Sequence, residues 1–313
     1  MPALLRRFLP VLILLALVVA LPFLLKSAYQ LRVATLVFTA GLTAIGLNIL
    51  MGQAGQVSLG HAGFGGIGAY AVAILPTHYG VHPLAAFLIG VTAAGLVAFV
   101  VGRPILRLRG HYLAVATLGM GILIAMVIQN QQGLTGGPDG MQVPRMELFG
   151  WRVRGAETWY WICGAFLIAG AVLAVNLIDS PTGRALRAVH DSEVAARVLG
   201  IDVARAKLTA FTISAVYAAT GGALLAFVNA FVTPDIAGFL HSVELVTMVV
   251  LGGLGSVVGA VVGAAILVVL PQVLTVFHEY EHLAIGLIMI GVMIFMRAGV
   301  VPTLIGLVRG RSA

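Results

Sequence analysis

The eighteen residues FLPVLILLALVVALPFLL, positions 8–25, carry no charged or hydrogen-bonding side chain. A helix of that length is about 27 Å long, close to the roughly 30 Å hydrocarbon thickness of a bilayer. Backbone N–H and C=O groups in lipid must be paired within the segment, so an apolar run like this one crosses as a helix. Arg6 and Arg7 precede the run; Lys26, Ser27, Ala28 and Tyr29 follow it. A cleaved secretory signal has a shorter apolar core and small residues before the cut. Here Lys26 stands at the −3 place of any cut after Ala28. The stretch therefore reads as a retained first transmembrane helix.

The pattern recurs along the chain. Further apolar runs fall at about 33–51, 57–75, 83–103, 111–129, 158–178, 208–231, 240–252, 256–277 and 281–297, which makes ten. The run at 240–252 is short, and the glycine-rich runs at 57–75 and 256–277 suit broken or re-entrant segments, so the expected count spans about eight to eleven. The 313 residues are 60% hydrophobic and 9% charged, with a mean hydropathy of +1.08, whereas soluble domains average about 25% charged. That composition excludes a cytosolic enzyme, a disordered chain and a disulfide scaffold. The single Cys163, inside Trp161-Ile162-Cys163-Gly164, reads as a small buried apolar residue. The expectation is an all-α polytopic transmembrane bundle forming one domain over residues 1–313.

A formal charge of +7 could suggest a nucleic-acid partner, but the 18 Lys and Arg lie in small groups between apolar runs, as topology signals do. With ten spans and an inner N-terminus, inner segments carry Arg6, Arg7, Arg103, Arg107, Arg109, Arg184, Arg187, Arg197, Arg205, Lys207, Arg297, Arg309 and Arg311. Outer segments carry only Lys26, Arg32, Arg145, Arg152 and Arg154. Lys and Arg concentrate on the cytoplasmic side, so both termini are expected in the cytoplasm. Trp151, Trp159 and Trp161 then cluster near the outer interface, where indoles prefer to lie. Two connections are long: 130–157, facing out, and 179–207, facing in.

Helices in lipid approach closely where small residues recur at spacing four. Gly255, Gly259 and Gly263 form one such ridge, with Gly252, Ser256, Ala260 and Ala264 beside it; Ser214, Ala218, Gly222 and Ala226 form a third, and Gly65, Ala69 and Ala73 a fourth. Polar residues gather where the second and third runs meet: Asn48, Gln53, Gln56, Ser58 and His61. Two readings fit them. They form a weakly charged path for a small neutral or zwitterionic solute, or they pair the backbone groups that a broken helix exposes. Ionisable groups at membrane depth are functional candidates. His61 suits either a path or a hydrogen-bonded place in the bundle, and Glu244, with His241 one turn earlier, suits either a pore lining or an interface. No chain of Asp, Glu and His makes a proton relay.

Ser180 and Pro181 suit the N-cap and first position of a helix running to His190. Asp191 or Ser192 can then cap a second, two-turn helix, which Gly200 ends in the left-handed conformation with Ile201 packing back. A helix that short needs bracing by the bundle or by a partner. It reads either as a surface-lying connector or as a docking element whose alanines, Val198 and Leu199 enter a groove in another chain.

The residues Gly183-Arg184-Ala185-Leu186-Arg187-Ala188-Val189 and Glu193-Val194-Ala195-Ala196-Arg197-Val198-Leu199-Gly200-Ile201 resemble the cytoplasmic loop of branched-chain amino-acid ABC importer permeases of the LivM type. The likeness continues in Lys207–Phe211, Gly221–Leu224, Val249–Ser256, the early stretch Gly52–Phe64 and Leu134–Gly140, covering about 35–297 in order. The resemblance implies that 179–207 is a coupling loop contacting an ATPase through Arg184, Arg187, Glu193, Ala195, Ala196, Arg197 and Gly200. The wider ABC-permease pattern E-A-A-x3-G is met by Ala195, Ala196 and Gly200, but Val194 stands where its Glu would be and Glu193 is one place early. The resemblance further implies a second homologous permease, two ATPase subunits holding ATP and magnesium, an extracytoplasmic solute-binding protein, and a bacterial inner-membrane location amid lipid. Leucine, isoleucine and valine are the implied cargo, with urea, short amides or an aromatic acid as alternatives.

No G-x4-G-K-[ST] stretch is present, so this chain has no P-loop of its own. Gly63, Gly65 and Gly68 match G-x-G-x-x-G but lie in no strand–helix–strand unit and serve helix contact instead. A secondary transporter driven by an ion gradient fits less well, lacking intramembrane acid pairs. A membrane enzyme fits less well, lacking any clustered nucleophile, base or metal set.

Overall fold

The computed structural model describes residues 3–25, 27–108, 110–148, 151–274, 286, 290, 294, 296 and 298–308. Its helices are α1 (Ala3–Leu24), α2 (Ala28–Asn48), α3 (His61–Tyr79), α4 (Pro83–Ile105), α5 (His111–Asn130), the single turn α6 (Gln132–Thr135), α7 (Ala156–Asp179), α8 (Pro181–Asp191), α9 (Glu193–Val198), α10 (Val203–Asn229), α11 (Phe239–Gly252), α12 (Val257–Leu274) and α13 (Val300–Val308). Four two-residue strands pair antiparallel: β1 (Met141–Gln142) with β4 (Phe231–Val232), and β2 (Glu147–Leu148) with β3 (Trp151–Arg152). The fold is an all-α membrane bundle. Among the described residues, five helices are long and apolar enough to cross a bilayer: α2 with its extension to Gln53, α4, α5, α7 and α10. Phe8–Leu24, Phe239–Gly252 and Val257–Gln272 are shorter apolar helices. Nearly all of the tenth run, 281–297, lies outside the described residues, as do the side chains of Arg6, Arg7, Lys26, Arg109, Trp151, Arg152, Arg297, Arg309 and Arg311.

Burial sorts the helices into layers. The apolar windows of α2 and α10 are 72% and 67% buried, against 28–33% for α4, α5 and α7. The first two are therefore the axis of the bundle, and the other three turn broad faces outward. Helices α3, α4 and α10 pack against one another, and α2 contacts α7 and α12 as well as α10. The small residues explain the proximity. A Cβ at Gly222 would stand 2.1 Å from the carbonyl oxygen of Gly65, so α3 and α10 touch backbone to backbone.

Gly252, Gly255, Gly259 and Gly263 do not lie along one helix. Gly252 ends α11, Gly253 and Gly255 turn the chain with φ of +118° and +79°, and Gly259 and Gly263 belong to α12. The close approach is between the two arms of this hairpin: a Cβ at Gly263 would sit 1.8 Å from the Met248 carbonyl oxygen, and one at Gly252 would sit 1.8 Å from that of Gly259. Spacing alone does not register a turn that interrupts the ridge.

The break between the second and third runs falls later than the apolar pattern suggests. Helix α2 runs into a π-helical turn, Ile49–Gln53, then 54–60 is non-helical and α3 begins at His61. Helix α10 starts at Val203, inside the expected loop 179–207, and α7 reaches Asp179. The link between those two spans is thus largely the α8–α9 pair. On the outside of the bundle α1 lies against α7. Pro22 has no N–H to give the Val18 carbonyl four residues earlier, and the Tyr160 hydroxyl of α7 donates to that oxygen instead at 2.7 Å.

Candidate functional site

The polar residues at the α2–α3 break are all buried, and each is tied into the fold. Asn48 donates from Nδ2 to the Ser256 carbonyl (2.6 Å) and accepts at Oδ1 from the Gly255 N–H (2.8 Å). Gln53 Nε2 donates to the Gly255 carbonyl (3.1 Å), and Gln56 Nε2 to that of Ala54 (3.0 Å). His61 lies 2.7 Å from Ser58 Oγ at Nδ1 and 2.6 Å from Ser214 Oγ at Nε2. Phe64 and Phe211 meet its ring edge-on. The Leu59 and Ala62 N–H groups donate to Thr117 Oγ1 and Ser242 Oγ, both at 3.1 Å. Side chains of α5 and α11 thus pair N–H groups of the break, the break's own amides pair backbone of the 253–256 turn, and Ser214 of α10 holds the His61 ring, as a bilayer interior demands. Thr117, Ser214 and Ser242 complete the knot. Thr117 and Ser242 show in the sequence only as hydroxyls within apolar helices, while Ser214 shows as the first residue of a small-residue ridge.

A cavity of about 520 Å³ opens between α2, α3, α10, α11 and α12. Leu36, Ala40, Leu225, Leu245, Leu267 and Val268 make its apolar wall; Asn229, His241, Glu244 and Gln272 give it polar groups. Of the six residues expected along a solute path, Glu244 lines this cavity, while Asn48, Gln53, Gln56, Ser58 and His61 belong to the knot. The Glu244 carboxylate accepts from His241 Nδ1 at 3.1 Å. Arg32, counted in the sequence only as an outer positive charge, donates from Nη2 to Asn229 Oδ1 at 3.3 Å, and the Tyr29 hydroxyl donates to Gln272 Oε1. Carboxylate and aliphatic wall thus stand around one space, and the Arg32 guanidinium, outside that lining, is bonded to its Asn229.

The α8–α9 segment forms by local capping. Ser180 Oγ accepts from the Gly183 N–H at 3.2 Å with Pro181 next, and Ser192 Oγ, rather than Asp191, caps α9 through the Ala195 N–H at 3.2 Å. Gly200, at φ +80°, ends α9, and the Ile201 N–H returns to the Ala196 carbonyl at 2.9 Å. Arg184 and Arg187 donate to the carbonyls of Asp179 (3.1 Å) and Ile178 (2.8 Å), capping the negative end of α7. Glu193 pairs with Arg197 at 3.6 Å and with the buried Lys207 of α10. Ala196, expected among the ATPase-contacting residues, is wholly buried against the chain's own bundle. The two-turn geometry points one side inward, and Ala196 occupies it. Ala195 is exposed, as are Val194 (67%), Val198 (83%) and Leu199 (76%).

The family described as branched-chain amino acid transport system, permease component, matches residues 29–296. The high-affinity branched-chain amino acid transport system permease protein LivM of Escherichia coli K12 is 36% identical over 313 residues, covering 92% of this chain and 73% of LivM. LivM of Salmonella typhimurium is 35% identical over 317 residues, with the same coverage. The permease protein LivH of Escherichia coli K12 is 28% identical over 290 residues, covering 85% of this chain and 92% of LivH. No solved structure gives a match. The family match begins at the start of α2 and takes in the knot, the cavity and the α8–α9 face, and the chain belongs to the branched-chain amino acid transport permease family.

Proposed function

We propose that this chain is the transmembrane subunit of an ATP-driven importer of branched-chain amino acids in a bacterial inner membrane. In this reading both termini and the α8–α9 pair face the cytoplasm. A second homologous permease completes the pathway, two ATPase subunits hold ATP and magnesium, and an extracytoplasmic protein delivers the solute to the side carrying 130–157. The observation that carries it is α9: a helix pinned from within by Lys207 and Glu193 while Val194, Val198 and Leu199 stand in solvent. Exposed aliphatic groups on so short a braced helix suit insertion into a groove of another subunit. Closure of the ATPases would push on α9, and the push shifts the bundle only if α9 makes different contacts in the two states.

The cavity supports the cargo. A leucine-like zwitterion needs a carboxylate near its ammonium, a polar donor near its carboxylate and an aliphatic wall; Glu244, Asn229 and the Leu225–Leu245–Leu267 surface line the cavity, and Arg32 is bonded to that Asn229. Urea or a short amide would leave that wall unfilled, so the apolar lining favours the aliphatic solute. The names of the LivM and LivH relatives point to the same cargo. The test is purification from the native membrane in mild detergent, followed by reconstitution. A second permease and two nucleotide-hydrolysing subunits should accompany the chain. Labelled leucine uptake should need ATP, survive a protonophore, and be competed by isoleucine and valine but not by urea. Uptake abolished by the protonophore and indifferent to ATP would overturn the reading.

A further inference from the structure

On the side of the bundle that carries α9, the end of α4 and the start of α10 enclose a second cavity, of about 610 Å³. Five cationic side chains line it: Arg103, Arg107, Arg197, Arg205 and Lys207. Only two carboxylates, Glu193 and Asp202, face them, leaving three positive charges in excess. Both carboxylates are already engaged, Glu193 by Lys207 and Arg197, and Asp202 by Arg205 at 4.0 Å. Apolar residues of the same segments, Phe99, Leu106, Val203 and Leu208, complete the lining, and the Arg103 guanidinium lies 4.3 Å from the Phe99 ring centroid. Along α4, Leu96, Phe99, Val100 and Arg103 share one face at helical spacing. Leu96 and Val100 are 65% and 63% exposed on this membrane-crossing helix.

We infer that this cavity binds the phosphate headgroup of an anionic phospholipid whose acyl chains lie along Leu96 and Val100. Guanidinium groups match phosphate oxygens in a two-pronged geometry. Basic pockets where a span meets the membrane surface attract anionic headgroups. The apolar strip running from the cavity into the bilayer selects a ligand with an acyl body, since a soluble anion would leave it uncovered. Arg197 and Lys207 also hold the carboxylate of α9, so the bound lipid would link the end of α4 to that helix.

The test uses the full chain purified with its co-purifying subunits and examined by native mass spectrometry for retained lipid. With phosphatidylglycerol and phosphatidylcholine supplied equally, the wild type should retain the anionic lipid preferentially, and high salt should erase the preference. Arg103→Gln with Arg107→Gln should reduce it about thirtyfold, given roughly 1 kcal/mol for each of the two basic residues at an anionic surface. Leu96→Gln with Val100→Gln should weaken retention of both lipids, and excess inorganic phosphate should not displace the bound lipid. Equal retention of the two lipids, a preference indifferent to salt, or an unchanged preference in the arginine variant would overturn the proposal. Displacement by phosphate, with no effect of the Leu96 and Val100 changes, would overturn the lipid in favour of a free anion.

Discussion

The buried ammonium of Lys207, on the second turn of α10, is ion-paired with the carboxylate of Glu193, the first residue of α9. Six residues of helix have no stability of their own in water. The pair, the Ser192 cap and the buried methyl of Ala196 hold α9 on the bundle. A force applied to α9 would therefore pass directly into the central helix α10.

Removing one member of that pair leaves the other uncompensated. Lys207→Gln is expected to destabilise the protein by roughly 2 kcal/mol, below the cost of breaking a fully enclosed pair because Glu193 is partly open to water. Lys207→Gln combined with Glu193→Gln should cost less than the sum of the two single changes. Thermal unfolding of the detergent-purified protein measures all three, and strict additivity would show that the pair is not coupled.

The two sides of α9 should respond differently to charge. Val198→Asp places a carboxylate in solvent, so melting should hold while ATP-driven uptake falls at least about tenfold, the effect of losing one well-filled interface anchor. Ala196→Asp buries a charge with no partner, so the chain should fail to accumulate. Normal uptake by Val198→Asp would remove α9 from the motor interface.

What the sequence reveals here depends on how local the cause is. Ser180–Pro181 and Gly200 act within one turn of themselves, and the structure holds the caps where those residues predict them. Ten apolar runs predict the membrane bundle because each span satisfies its own backbone. The knot was visible as a cluster of polar residues, but its partners were not: His61 finds Ser214 across 153 positions, and Asn48 meets Ser256 across 208. The hairpin turn at 253–256 was hidden because glycine serves equally in a tight helix contact and in a left-handed turn. Glu244 belongs to the cavity rather than the knot for a similar reason, since only the packing of α11 beside α2 and α10 decides which space it faces.

The bond from Tyr160 to Val18 offers a test of backbone satisfaction in lipid. Tyr160→Phe removes the donor and leaves the Val18 carbonyl without the N–H that Pro22 lacks. The expected loss is about 1–2 kcal/mol, the usual cost of a buried orphaned acceptor. Pro22→Ala restores an N–H at that place, so adding it to Tyr160→Phe should recover most of the loss. Thermal unfolding of the two single variants and the double reads this directly. No recovery in the double variant would show that the loss does not come from an unpaired Val18 carbonyl.

The hairpin of α11 and α12 depends on glycine for proximity. At Gly263 an added methyl would meet the Met248 carbonyl oxygen at 1.8 Å, backbone that cannot swing aside as a side chain does. Gly263→Ala must therefore separate the two helices and should cost about 2–4 kcal/mol, in the range of severe overpacking. Gly119 in α5 has nothing within 4 Å of its would-be Cβ. There Gly119→Ala should be neutral or stabilise by up to about 1 kcal/mol through helix propensity alone. The pair of substitutions, compared by thermal unfolding in one detergent, distinguishes close helix contact from a general need for glycine. Equal melting temperatures would mean that α11 and α12 tolerate a wider separation than the backbone contacts imply.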